Sequence, residues 1–593
     1  MKMLPYWRYL TVAVTMIIVG AAIPVQIVRI QSSPEVAGVT GNGAYEWKTF
    51  YPARGVIYDR HGNLLAGNKT VYEVGVDLTA MPALETKALD MQKNIALAVQ
   101  MALGIDSAKV LKRMTDAVAG TQYIKLDDFV DSDKANQLMQ LQDKVQADPS
   151  GLNLNAVQFQ AHLMRSYPEN DLASTILGFV TEDNHGYLGV EEKYDNILAG
   201  IPVTLLVPTD PRRAEEYPHI PPGQTLILTI DREIQASVEK ILDNALESTD
   251  SVSGTILVMD PKTGEILAMS STPRMNLNDY TRVGEIFPGA TPFDRAISQA
   301  YEVGSVAKIL TMAAALDNGT VTPDTIFFDT GVIYVGGFPI RNWDNNAWGY
   351  QDMTGCLAHS LNVCLAWVST QMGNDSFYSY MQRFGLGHLT GIDLAGEAPG
   401  RLKLPGDSDW HPVDLGTNAF GQGVAITPIQ MVMAASALAN NGQMVYPHVL
   451  YAQVRGGHQS NMSQWVVATP IKAETAHTIS SMLANALETE SSVDLLPGYS
   501  IAGKTGTAQI PIPNGYDSND INASFIGWGP VDDPRFLVYV WLEKPQSNKA
   551  ASVVATPIFK QVIEKLVVLM GIPPDAVRLP ASVPQEQVQN TDQ

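Results

Sequence analysis

Apolar and polar positions change their rhythm several times along the chain. VYEVGVD (71–77) alternates, the period of a half-buried strand. Residues 82–147 instead repeat apolar positions three and four apart, as in ALDMQKNIALAVQMAL (88–103), and predict helices. GYLGVEEKYDNILAG (186–200) predicts a further helix closed by Gly200. Prolines at 202, 208, 211, 218, 221 and 222 then interrupt any period, marking a linker over 203–222. Beyond it TLILTI (225–230) reads as a strand and REIQASVEKILDNAL (232–246) as an amphipathic helix. GTILVMD (254–260) and GEILAMSS (264–271) read as a hairpin closed by PKTG. A helix, then paired strands, then many helices predict a mixed α/β (α+β) domain over 223–570. The rest divides into a smaller domain over 51–202, a polar connector (29–50) and a tail at 571–593 too polar and Pro-rich to fold. No internal repeat is present.

Leu10 to Val28 is a run of nineteen residues without charge, about 28 Å as a helix and long enough to span a hydrocarbon core. Lys2 and Arg8 precede it and favour a cytoplasmic N-terminus (1–9) with the body outside, although Arg29 blunts the asymmetry. A cleaved signal peptide is the competing reading, with Gly20, Ala21 and Ala22 as small residues for processing. Either reading exports the remaining chain.

Composition removes several classes. The chain has 593 residues, more than one compact domain holds, and 45% of them are hydrophobic against 17% charged, as in a folded protein. A net charge of −22 repels a polyanion, so no nucleic-acid partner is expected. Cys356 and Cys364 are the two cysteines; on one continuous helix they would stand about 12 Å apart, too far for a disulfide. They lack the histidines of a zinc site, and no metal or cofactor is expected.

Three short patterns carry chemistry: Ser305-Val306-Ala307-Lys308, Ser360-Leu361-Asn362 and Lys504-Thr505-Gly506-Thr507. Each has little weight alone, because the chain contains decoys. Ser237 and Lys240 repeat the first spacing on a charged amphipathic helix, and Lys262-Thr263-Gly264 repeats the third in a hairpin turn. Ser305 differs by following Gly304 and opening the apolar run AKILTMAAAL (307–316). A serine at a helix start lies in the positive end of the helix dipole, and Lys308 falls on the same face one turn later. Serine needs a base in contact, and lysine serves only when neutral; burial and a second cation such as Lys504 would both favour that state. Ser360 can relay a proton, and Asn362 can bond a substrate amide through donor and acceptor.

These patterns in this order are the signature of penicillin-interacting serine enzymes, and the surrounding chain resembles a class B penicillin-binding protein, a monofunctional peptidoglycan D,D-transpeptidase. Arg54-Gly55-Val56-Ile57-Tyr58-Asp59-Arg60 through Leu65-Ala66 resembles one pedestal motif of that family. Gly189-Val190-Glu191 with Tyr194 and Leu198-Ala199-Gly200 resembles another. Thr229-Ile230-Asp231 with Gln235, Gly396-Glu397, and Phe420-Gly421-Gln422-Gly423 running into Thr427-Pro428 and Gln430 also match. The resemblance covers residues 54 to about 565. It implies an antiparallel sheet flanked by helices, with an elongated pedestal (dimerisation-like) domain and one transmembrane anchor at the inner membrane.

It further implies that Ser305 attacks the penultimate D-Ala carbonyl of a stem peptide, with Lys308, Ser360, Asn362 and Lys504 as catalytic groups. The amides of Ser305 and Thr507 would form the oxyanion hole, and Lys504, Thr505 and Thr507, on either side of Gly506, would hold the terminal carboxylate. β-Lactams would acylate the same serine, and a membrane glycan polymerase would be the working partner. Val303 stands where the family usually has proline, and the segment PIPNGYDSNDIN (511–522) after the third motif is polar and Gly-containing, as a mobile loop would be.

A class A β-lactamase would be shorter and would need a glutamate to activate water, for which no convincing residue is present. A D,D-carboxypeptidase uses the same residues, and a non-catalytic β-lactam sensor or scaffold is the alternative of another class; both stay open. Elongation and division also stay open, since Asn362 leans to division and Leu65-Ala66-Gly67-Asn68 to elongation. Tyr301 and Trp528 are expected to pack rather than to bind substrate.

Overall fold

The computed structural model describes residues 45–579 except 83–84, 119, 148–152, 209–219, 290, 491–494, 514 and 549, together with five isolated positions between 14 and 29. Most of the expected anchor at 10–28, most of the connector and linker, and the end of the expected tail therefore lie outside the described residues. Among the described residues no helix is long and apolar enough to cross a membrane.

Two compact units are present. The smaller, 1–54 with 199–223, contains an antiparallel pair of strands, Tyr45–Phe50 against Val203–Pro208. The larger comprises 55–198 and 224–593.

In the larger unit, strands β1 (Ile57–Tyr58) and β2 (Leu64–Asp77) are followed by helices α1 (Glu85–Leu103) and α2 (Ser107–Thr115). Strand β3 (Tyr123–Asp131), helix α3 (Ser132–Ala147) and strand β4 (Val157–Ser166) complete this region. Strand β2 is central, paired antiparallel to both β3 and β4. The helical reading of 82–147 therefore missed β3. Only Leu126 and Val130 of that strand are buried, four residues apart, so its apolar spacing imitates a helix. GYLGVEEKYDNILAG forms two short helices, Gly189–Lys193 and Asp195–Leu198, before Gly200 at φ +70°.

Strand β5 (Thr225–Leu228) pairs in parallel with β1 and leads into α4 (Arg232–Thr249). Asp231 caps α4 by accepting from the amides of Glu233 (3.0 Å) and Ile234 (3.1 Å). The expected hairpin is β6 (Ser253–Met259) with β7 (Ile266–Ser271). Helices α5 (Lys308–Asp317), α6 (Met353–Ala358), α7 (Asn362–Met372), α8 (Pro428–Ala439) and α9 (Ala473–Glu490) follow. The chain then forms β8 (Ala502–Ile512), β9 (Gly515–Gly529), β10 (Phe536–Glu543) and α10 (Ala551–Leu569).

These strands make a five-stranded antiparallel sheet in the order β7-β6-β10-β9-β8, so β8 is an edge. Both faces are covered, which explains the unbroken apolar run FLVYVWL in β10. Leu537, Tyr539 and Trp541 enter one core with α5, α8 and α9; Val538, Val540 and Leu542 enter the other with α4 and α10. Tyr301 and Trp528 are packing residues, as expected. Tyr301 stacks on Trp541 and shares a 2.5 Å hydroxyl contact with Tyr539, while the Trp528 indole donates to Ser480 Oγ (3.2 Å).

Two expectations are corrected. Cys356 and Cys364 form a disulfide, because they do not share a helix: the chain reverses at Ser360 (φ 52°) and brings their Cα atoms to 6.1 Å. Residues 571–579, expected to be unstructured, contain a helical turn at Asp575–Arg578 that Arg578 ties to Asp532 (2.8 Å).

Candidate functional site

The first and third sequence patterns meet at the edge of the five-stranded sheet, and Lys308 of the first reaches the second. Gly304–Ala307 forms a 3₁₀ turn that runs into α5, so Ser305 stands at the helix entrance. Gly304 sits at φ +61°, and a Cβ there would come within 2.9 Å of Ala508 Cβ. Gly421 (φ +80°) is tighter still, since a Cβ would lie 2.2 Å from the Gly304 carbonyl oxygen. Gly506 on β8 would place a Cβ 2.9 Å from Val306 and 3.1 Å from the Val303 carbonyl. Glycine is required wherever these backbones touch. The first and third patterns are thus pressed together, with the Phe420-Gly421-Gln422-Gly423 segment behind them; the Gly304 amide donates to the Gly421 carbonyl (3.1 Å). Val303, buried where the family has proline, has φ −75°, a value proline also takes.

The second pattern is presented by a turn. Helix α6 ends with Ser360 in the left-handed region, the Ser360 amide donating to Leu357 O (3.2 Å) and the Leu361 amide to Cys356 O (3.0 Å). This is a Schellman closure with serine where glycine is usual. The Cys356–Cys364 disulfide spans the same turn, joining α6 to α7.

Lys308 reaches this turn and is fully buried. Its Nζ donates to Ser360 O (2.5 Å), Asn362 Oδ1 (2.8 Å) and Ser360 Oγ (3.1 Å). Such bonds offset the cost of burying an amine. Asn362 Nδ2 in turn donates to Arg341 O (3.2 Å). On β8, Lys504 is buried, with Nζ 3.3 Å from Thr505 Oγ1, and Thr507 is exposed with its hydroxyl accepting from the Ala551 amide (3.3 Å). All eight expected site residues therefore lie on segments that touch one another. The decoys lie elsewhere in the fold: Lys240 is exposed on α4, and Gly264 (φ +83°) closes the β6–β7 turn beside the Lys262–Asp533 pair.

A neighbouring cluster was missed from sequence. Glu302, three residues before Ser305, accepts from Tyr516 Oη (3.0 Å) on β9. Burial pushes the Glu302 carboxyl above its usual range, against the Tyr516 hydroxyl, the Gly423 amide and the Lys403 charge. Burial likewise raises the Tyr516 phenol, with the Glu302 charge adding to it. A 214-residue separation hides this pair from any local pattern.

Residues 254–564 match the penicillin-binding protein transpeptidase domain, and residues 49–204 match the penicillin-binding protein dimerisation domain. The chain belongs to the penicillin-binding protein family. Stage V sporulation protein D of Bacillus subtilis is 31% identical over 541 residues, covering 88% of this chain and 79% of that protein. Peptidoglycan D,D-transpeptidase FtsI of Escherichia coli K12 is 28% identical, covering 88% of this chain and 85% of that protein. Among solved structures, penicillin-binding protein 3 of Mycobacterium tuberculosis complexed with aztreonam superposes with a TM-score of 0.67 at 24% identity, covering 89% of this chain and 98% of that one. This penicillin-binding protein thus has the α+β transpeptidase fold expected from its sequence.

Proposed function

We propose that this penicillin-binding protein is a peptidoglycan D,D-transpeptidase that works through an acyl-enzyme on Ser305 and is inhibited covalently by β-lactams. The observation that carries the reading is the buried Lys308 amine, bonded to both Ser360 and Asn362 one helical turn from Ser305. Ser305 Oγ attacks the penultimate D-Ala carbonyl while Lys308 takes its proton, which requires that Nζ become the uncharged amine and give up one of its three donated bonds. The amides of Ser305 and Thr507 receive the oxyanion, and Lys504, Thr505 and Thr507 hold the terminal carboxylate. The proton passes through Ser360 to the departing D-Ala amine, and Asn362 aligns the stem-peptide amide. An acceptor amine of a neighbouring strand then breaks the ester and restores Ser305.

The same reading takes 10–28 as a single-pass inner-membrane anchor, 51–202 as the pedestal and 223–570 as the catalytic domain outside the membrane, beside a glycan polymerase. Its test is labelling by fluorescent penicillin. The wild type labels and Ser305→Ala does not; a labelled mutant, or an unlabelled wild type, overturns it. Supplying an acceptor amine and weighing cross-linked against hydrolysed product separates transpeptidation from carboxypeptidation.

A further inference from the structure

Beyond Thr507 the β8–β9 hairpin continues as an arm. Pairing is regular from Ala502↔Trp528 to Gln509↔Ile521, then shifts to Pro511↔Tyr516 and Ile512↔Gly515. Residues 517–520 bulge out of the ladder, folded on Asp517, whose carboxylate accepts from the Asn519 (2.7 Å) and Asp520 (3.1 Å) amides. Asp520 pairs with Lys544 at the base (3.2 Å). Gln509, Pro511 and Ile512 are exposed, so apolar burial contributes little to the arm's position. Tyr516 crosses from this arm to Glu302 (3.0 Å). Glu302 is itself fixed, since its strand pairs with Ala425 and the chain three residues on is Ser305.

We propose that the Tyr516–Glu302 hydrogen bond is a latch, and that both are positioning residues that hold the Gln509–Ile512 edge in line with Ser305 for an extended stem peptide. An edge strand offers unpaired N–H and C=O groups to such a peptide, and it serves as a template only while it stays straight. The bulge gives the arm a pivot, and the latch spans it. A β-lactam is shorter than a stem peptide, so the latch should matter less to it than to a stem peptide. The inference rests on the acyl-enzyme reading of Ser305.

The test compares wild type, Tyr516→Phe, Glu302→Ala, Glu302→Gln and the Tyr516→Phe/Glu302→Ala double variant. Each is assayed with a stem-peptide thioester ending in D-Ala, with fluorescent penicillin, and for thermal melting. Loss of one hydrogen bond corresponds to about a five-fold rise in peptide KM. That rise is expected in Tyr516→Phe and Glu302→Ala, with a smaller effect on penicillin acylation. The double variant is no worse than either single, and Glu302→Gln, which keeps an acceptor oxygen, recovers most of the loss. Should Glu302→Ala melt early, Tyr516→Phe decides alone, because Tyr516 is 37% exposed and the change removes only its hydroxyl. A wild-type peptide KM in Tyr516→Phe, or additive effects in the double variant, overturns the latch. An unlabelled wild type would instead overturn the Ser305 reading.

Discussion

Two regions of this molecule carry the same four-residue spacing, Ser305 to Lys308 and Ser237 to Lys240, and differ in everything around it. Lys308 is fully buried against three oxygens of the second motif, whereas Lys240 is exposed on α4. Ser305 follows a glycine pressed on β8; Ser237 lies within a continuous helix capped by Asp231. The two KTG segments diverge likewise. Gly506 is where β8 closes on the Val303–Val306 turn, whereas Gly264 turns a hairpin at φ +83°. A motif becomes chemistry only where tertiary contacts desolvate its cation and fix its neighbours.

The largest break in that contrast is at the lysines. Lys308→Ala is expected to slow acylation by fluorescent penicillin by at least about a hundred-fold, while Lys240→Ala acylates at the wild-type rate. Comparable losses in both would mean that burial does not separate them.

The glycines give a second break. Gly421→Ala forces a Cβ to 2.2 Å from Gly304 O, and Gly264→Ala forces one to 2.0 Å from Tyr446 O. Both should lower the melting temperature, since neither site admits a Cβ. Only Gly421→Ala should also reduce acylation measured per folded molecule, by about ten-fold or more, because it moves Gly304 and hence Ser305.

The disulfide sharpens the comparison further. Cys356–Cys364 spans the turn that offers Ser360 to Lys308, and no cross-link braces the helix of Ser237. Closing so short a loop contributes about 2.5 kcal/mol in the chain-entropy model. Paired Cys356→Ser and Cys364→Ser should therefore lower the urea midpoint. An unchanged midpoint would show that the turn holds without the bridge.

The smallest effect lies at the far end of α5. Burial opposes the charge of Asp317, yet the Lys472 amide and the Tyr380 and Thr475 hydroxyls outweigh it and hold its carboxyl below the usual range. A depressed folded value means that this stability is present above the unfolded value near pH 4 and is lost as pH falls through the folded one. The wild type should exceed Asp317→Asn in urea midpoint at pH 7, and the gap should narrow below about pH 4.

Much of this was legible in the sequence. The β6–β7 hairpin, the capped helix α4 and the order of the three motifs follow from local patterning, as does the helix behind Ser305. What was hidden depends on contacts between distant residues. CLAHSLNVC (356–364) has helical texture, so nothing local signals the left-handed Ser360 that brings the two cysteines together. Strand β3 shows a helix-like spacing because its buried positions are Leu126 and Val130, four residues apart. Gly421 was part of a family match, but only its contact with Gly304 explains why it is glycine. Glu302 and Tyr516 are individually unremarkable and acquire a role only through each other.

The contrast between the two serines is tested most directly by finding where a β-lactam attaches. The protein would be reacted with a penicillin, digested, and the adduct located by peptide mass spectrometry. The adduct should fall on Ser305 alone, leaving the peptide with Ser237 unmodified. An adduct on Ser237, or one that persists in Ser305→Ala, would contradict the assignment.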